Sequence, residues 1–213
     1  IIKKIEDGYF EKLGINTLWV SPVVKNPEKA YGNYPNPKTS FSAYHGYWPV
    51  SFTQINPHFG TEQDLKQLVN KAHEHNINVL LDVVANHVHE EHPVYKGHPD
   101  WFTNLYLPAG SLNTERCDTH CLTTWFDVFL PTLDLEKPQV SEMLSDSIVY
   151  WIKTFNLDGF RHDATKHIPE VFWRKLTQKL KLQVVIPEKR RIFQIGETYG
   201  SPELISSYVC SGQ

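Results

Sequence analysis

Two hydrophobic rhythms alternate along the chain. Short apolar runs bounded by turn residues recur at INTLWV (15–20), INVLLDVV (77–84), LDGFRH (157–162) and RIFQIGE (191–197). Each reads as a buried strand. Between them, apolar residues return at helical spacing. Residues 61–76 place Leu65, Leu68, Val69 and Ala72 on one side, with Thr61 available as a cap. Residues 139–156 do the same with Val140, Met143, Leu144, Ile148, Trp151, Ile152 and Phe155. Residues 169–183 open on Pro169, a residue favoured in a first helical turn. Strand, helix, strand, helix at this rhythm predicts parallel strands joined by helical crossovers. The rhythm fails over residues 21–60 and again over 88–132. A stretch as long as 88–132 without a period exceeds an ordinary loop, so a small inserted subdomain is expected there.

Polar residues collect at one place in this pattern. Asp82, Asn86 and His87 follow VLL, Arg161 and Asp163 follow LDGF, and Glu197 follows FQIG. In both parallel-sheet architectures, barrel and doubly wound, ligands bind at that C-terminal edge. A single acid there has a bland reading, and Arg161 with Asp163 alone fits a structural ion pair. Several strand ends sending polar groups to one rim point instead to a site. Asp163 and Glu197 lie 34 positions apart (197 − 163), one strand–helix–strand unit. Neighbouring strands about 5 Å apart would bring them near the roughly 5–5.5 Å separation at which one carboxylate attacks and the other donates a proton. Arg161, two residues before Asp163, points the same way and would keep it ionised. Lys166 and His167 run on past the strand as donors.

Composition narrows the partners. A net charge of -3 offers nothing to a polyanion such as nucleic acid. No apolar run reaches about 18 residues, so no membrane span is expected. Six Trp, ten Tyr and eleven Phe serve either core packing or stacking on sugar rings. IIKKIEDGYF lacks the apolar segment of a signal peptide, and the chain does not start with Met, so a missing N-terminus is expected. Three cysteines make no disulfide framework. Cys117 and Cys121 can pair locally or stay as thiols. Cys117-x-x-His120-Cys121 lacks the second pair of ligands that a structural zinc needs. His87, His89, His92 and His98 read as a solvated loop before a metal cluster. His162 faces away from Asp163 by strand alternation and reads as packing.

Six stretches in order carry a family resemblance: GINTLWVSP (14–22), AYHGYW (43–48), DVVANH (82–87), LPTLD (130–134), GFRHDATKH (159–167) and IGETYG (195–200). They resemble the motifs of glycoside hydrolase family 13, the α-amylase family, over nearly the whole chain. The resemblance implies an α/β fold, a TIM (β/α)8 barrel of which about half is present, strands 2 to 5. It implies barrel segments at 1–87 and 135–213, with an inserted domain B at 88–134 after the third strand. Asp163 would form the covalent glycosyl intermediate, Glu197 would be the acid/base, and Arg161 would orient Asp163. Tyr47, with Trp48 beside it, would stack on the sugar at the cleaved position. His45 and His87 would donate to its hydroxyls, Asp82 would buttress the site, and Lys166 and His167 would touch the leaving-group side. Asn86 and the His167 carbonyl would bind a structural calcium.

Three departures qualify the carry-over. The family's fourth region, an Asn-His-Asp whose Asp grips sugar hydroxyls, is not in this chain. The first strand and the sixth to eighth are also missing, against about 250 residues for a complete barrel. The calcium-binding Asp of the LPxLD-like motif is Thr132 here, a poor ligand for a hard cation, with Asp127 or Asp134 as substitutes. The expected activity of the parent protein is retaining hydrolysis of α-1,4-glucans: starch, glycogen or maltooligosaccharides. A transglycosylase or isomerase of the same family is the near alternative, and a non-catalytic carbohydrate-binding relative the distant one. Export to a secreted or periplasmic location is favoured, and oligomeric state is left open. The chain alone, with open sheet edges, is expected to be inactive and prone to aggregate.

Overall fold

The computed structural model describes residues 1–32 and 39–210. Residues 33–38, inside the irregular 21–60 stretch, lie outside the described residues. Among the described residues four strands form one parallel sheet in chain order: β1 (Thr17–Val20), β2 (Asn78–Val83), β3 (Gly159–His162) and β4 (Phe193–Gly196). The helices are α1 (Ile2–Glu6), α2 (Tyr9–Lys12), α3 (Glu62–Glu74), α4 (Pro93–Gly97), α5 (Pro138–Phe155), α6 (Glu170–Leu180), α7 (Ile186–Glu188) and α8 (Pro202–Cys210). This is part of a parallel barrel, with α3 and α5 as crossovers between β1, β2 and β3.

Each strand is shorter than its apolar run, and β3 shows why. Leu157 and Asp158 belong to the run but not to the ladder. Asp158 instead accepts the Val79 N–H on its carboxylate at 2.8 Å and donates its own N–H to the Val79 carbonyl. A side chain thus does the work of one ladder position. The predicted helix over 61–76 is α3. Thr61 accepts the Asp64 N–H, and Asp64 accepts the Thr61 N–H in return, a reciprocal cap. The helix predicted over 169–183 runs further. After α6 a π turn, Lys181–Val185, leads into α7, which stops at left-handed Lys189.

Strand alternation divides the sheet into two faces. Val79, Leu81, Val83 and Phe160 pack under the helices with Val69, Ala72, Leu144, Ile148, Ile152 and Leu176. Asp82 and Arg161, which are paired in the ladder, take the opposite face. Segment 88–134 contains α4, a 3-10 turn at Pro99–Trp101 and isolated bridges, and it returns to the end of β2 where His87 meets Thr132. The close fit of β3 to β4 needs Gly159: a Cβ there would lie 1.9 Å from the Phe193 carbonyl oxygen.

The outer strands are bare. β4 is exposed along its length, and Phe193 at 57 %, Ile195 at 43 % and Trp19 on β1 at 58 % leave large apolar surface uncovered. Such edges recruit other strands. Residues 1–213 expressed alone are therefore expected to bind a hydrophobic dye and to self-associate in sedimentation. A monodisperse monomer with one sharp, dye-free melting transition would contradict this.

Candidate active site

The site is built around one guanidinium. Arg161, the third residue of β3, has a side chain only 9 % exposed. Its Nη1 donates to both oxygens of Asp82 at 3.0 Å and to Asp163 Oδ1 at 2.8 Å. Its Nη2 meets Glu197 Oε1 at 3.0 Å. Three strands therefore deliver three carboxylates to one cation: Asp82 from β2, Asp163 just beyond β3 and Glu197 just beyond β4.

The three acids differ in access. Their side chains are 0 % exposed for Asp82, 14 % for Asp163 and 45 % for Glu197. Asp82 is wholly occupied: Tyr47 Oη–H at 2.8 Å and Trp19 Nε1–H at 3.0 Å both donate to its Oδ2. Asp82 is a buttress, and only Asp163 and Glu197 retain an approach from outside. Burial raises the pKa of Asp163, Arg161 pulls it back, and the charges of Asp82 and Glu197 add to the rise, to about 7. The Arg161 contact expected from the sequence is present, yet it does not by itself hold Asp163 in the ordinary carboxylate range, because burial outweighs it and the one cation is shared by three acids. Burial also raises Asp82, against the opposing pull of Tyr47, Arg161 and Trp19. Tyr47 is raised too, by burial and by its bond to Asp82.

The turn after β3 fixes the geometry of the pair. Asp163 N–H donates to the Val83 carbonyl, and Glu197 N–H donates to the His162 carbonyl. Ala164 then takes the left-handed conformation (φ 49°) and aims its N–H at Glu197 Oε2, 3.0 Å away. Glu197 is thus held from one side by Arg161 and from the other by the backbone of Asp163's own turn.

The loop carrying His45, Tyr47 and Trp48 is pinned by Asn26. Its amide donates to the Val24 and Gly46 carbonyls and accepts the Trp48 N–H at 2.7 Å. Gly46 (φ 88°) is obligatory, since a Cβ would sit 2.4 Å from the Pro22 carbonyl oxygen. His45 Nδ1 accepts the Tyr47 N–H, which puts the proton of the neutral imidazole on Nε2. The His45 and Tyr47 rings stack at 5.7 Å. Trp48 turns instead to His45, His89 and Phe129. His87 is buried and held neutral, its pKa lowered to about 4 by burial. Its Nε2 bonds to the Tyr47 carbonyl at 3.0 Å and its Nδ1 faces the Asn86 amide. Donation from His87 to a ligand would first cost it the Tyr47 bond. Lys166 Nζ stands 3.3 Å above the centre of the Tyr199 ring. His167 is buried, with Nδ1 bonded to the Cys121 carbonyl at 3.0 Å.

Trp19, Ala164, Tyr199 and Cys121 also stand at the site, beyond the residues to which the sequence points. Trp19 was findable: Leu18 and Val20 pack against the core, so alternation sends Trp19 to the Asp82 face, where its ring also lies 5.0 Å from the Arg161 guanidinium. Nothing in the sequence marks Ala164.

The residues offered for calcium do not fit a hard dication. Thr132 donates its hydroxyl to the Thr124 carbonyl, Asp127 accepts the Val128 N–H, and Asp134 pairs with Lys137 at 3.1 Å. Asn86 and the His167 carbonyl are themselves neutral ligands, and a hard dication is normally held by several carboxylates.

The family model for the alpha amylase catalytic domain matches residues 1–106. The chain is 35% identical to alpha-amylase mde5 of Schizosaccharomyces pombe over 81% of its length, and covers 33% of that protein. It is 32% identical to a cyclomaltodextrin glucanotransferase of Bacillus sp. (strain 1011) over 98% of its length, 30% of that protein. The crystal structure of the Geobacillus thermoleovorans alpha-amylase complexed with acarbose superposes with a TM-score of 0.77 at 32% identity, covering 99% of this chain and 42% of that one. The chain thus spans about a third of the length of these curated relatives.

The charge balance has a testable consequence. A carboxyl raised in the folded state stabilises the fold at low pH and loses that contribution as pH rises through its folded pKa, here from the ordinary value of 3.8 to about 7. Asp82→Asn removes a neighbouring negative charge and leaves Arg161 more fully to Asp163. The Asp163 carboxyl, followed by carbon NMR, should then titrate at lower pH than in the wild type. An unchanged or higher value would refute the shared-cation account.

Proposed function

We propose, for a chain that belongs to glycoside hydrolase family 13, the α-amylase family, that its parent protein cleaves α-1,4-glucans by retaining double displacement. The observation that carries this is the placement of Asp163 and Glu197 on the two terminal nitrogens of one guanidinium, at adjacent strand ends. Asp163, aimed by Arg161, attacks the anomeric carbon in its ionised form. The bond to the glycosidic oxygen breaks as Glu197 gives that oxygen its proton. The sugar is then an ester of Asp163. Glu197, now a carboxylate, takes a proton from an incoming hydroxyl, whose oxygen displaces Asp163. The greater exposure of Glu197 supports the acid/base role, since it must reach both a leaving group and an acceptor.

Hydrolysis and transfer share every step up to the ester and differ in whether the acceptor is water or a sugar hydroxyl. Similarity to both an alpha-amylase and a cyclomaltodextrin glucanotransferase keeps transfer as the second reading. A single pure maltooligosaccharide yielding longer products would decide for transfer. Tyr47 and His45 are the proposed sugar contacts at the cleaved position: the stacked rings offer an aromatic face and the His45 Nε2–H as a donor. Lys166 beside Tyr199 is the proposed contact on the leaving side.

The roles are separable in the complete protein. Glu197→Gln should lower kcat on a glucan by roughly 10²–10⁴. It should spare the first step on a glycosyl fluoride, whose leaving group needs little protonation. Asp163→Asn should abolish both reactions. Equal loss on both substrates for the two variants would reject the assignment, as would full activity in either.

A further inference from the structure

We propose that Cys117, Cys121 and His167 form a thiol-gated site for a soft divalent cation such as Zn²⁺. The three residues come from two separate segments: a turn of the 88–134 insertion and the 3-10 turn Thr165–His167 after β3. One ligand atom from each lies within 4.8 Å of the others. His167 Nδ1 is 3.7 Å from Cys121 Sγ, and Phe126 packs its ring against the imidazole at 4.8 Å between centroids. His167 is buried, while the cysteines are half-buried and open to a reagent.

The donor set decides the ligand class. Two thiolates and an imidazole match zinc and other soft or borderline cations and are poor for calcium or magnesium. Ligands at zinc distances stand roughly 3.3–3.8 Å apart, so side-chain adjustment alone would complete the site, with a fourth position for water. The cation would take the place of the proton on His167 Nδ1, which moves to Nε2 as the bond to the Cys121 carbonyl is given up, so the imidazole stays neutral and releases no proton. His120, the histidine that sequence spacing suggested beside the two cysteines, is not in the cluster, and His167, 46 residues from Cys121, is.

In the structure Cys117 and Cys121 are joined as a disulfide, only 4 positions apart. So short a loop constrains the unfolded chain less than a long one, so stapling explains little of its placement against His167. A disulfide has no thiolate to offer, so oxidation closes the site. A phosphine reductant reopens it: the S–S bond breaks, the phosphine becomes its oxide with oxygen from water, and two thiols result. Binding the cation then releases their two protons. None of Arg161, Asp163 and Glu197 takes part, so the site stands or falls apart from the glucan-cleaving function.

The intact protein, reduced with a phosphine and freed of excess reductant, is titrated with Co²⁺ as a spectroscopic stand-in. The expected result is one equivalent bound with a thiolate-to-cobalt band in the near ultraviolet. The band should be absent from the oxidised protein and from Cys117→Ser/Cys121→Ser. Added Zn²⁺ should bleach it and shield two thiols from a chromogenic disulfide. His167→Ala should weaken binding by at least about tenfold. The proposal is overturned if the reduced wild type shows the thiols of Cys117 and Cys121 reactive, beyond that of Cys210, yet no band. It is equally overturned if the double serine variant keeps the band, or if His167→Ala binds as tightly as wild type. The reduced-against-oxidised comparison needs no variant and decides the matter even if a substitution impairs folding.

Discussion

Everything at the rim depends on the Arg161 guanidinium. It is nearly buried, and a buried charge without partners would be prohibitive. Its partners are three carboxylates from three strands. Opposite charges about 4 Å apart attract by about 4 kcal/mol at an effective dielectric of about 20, and like charges repel comparably. One cation among three acids leaves excess negative charge. Burial and that excess act together on Asp163 and draw it toward protonation. The Arg161 contact that fixes the nucleophile's position favours its ionisation, burial and the neighbouring carboxylates oppose it, and the site sits close to that balance.

Position and access divide the acids. Asp82 spends its lone pairs on Arg161, Tyr47 and Trp19. Asp163 is reachable but confined, and Glu197 is open. This ordering follows from where each side chain leaves its strand. Asp82 is inside the ladder of β2, with Asp163 and Glu197 one residue past the last rungs of β3 and β4. Two steps along the backbone, from the Asp82 register to that of Asp163 and Glu197, change a structural acid into one that a ligand can meet.

Much of this was legible before any coordinates. The four apolar runs mark the four strands because a sheet buried beneath helices needs continuous apolar residues. The acids could be placed because parallel strands all end at one rim. Helix α3 announced itself through Thr61 and its spacing. Strand ends were harder, since Asp158 replaces a ladder rung with its carboxylate, a substitution no apolar count detects. Ala164 could not be read at all: an alanine in a left-handed turn carries no compositional mark. The neighbourhood of His167 was equally hidden. Its contact with Cys121 crosses an irregular segment where no period relates one position to another.

The distances along the chain between Arg161 and its partners also order its assembly. Asp82 precedes it by 79 positions and Asp163 follows by two, whereas Glu197 comes from the far end of the next crossover. During synthesis the guanidinium finds two counter-ions on segments already made, while the third is still unbuilt. The cation is thus made with counter-ions within reach before the next crossover exists, and the most solvent-open acid is the last to be synthesised.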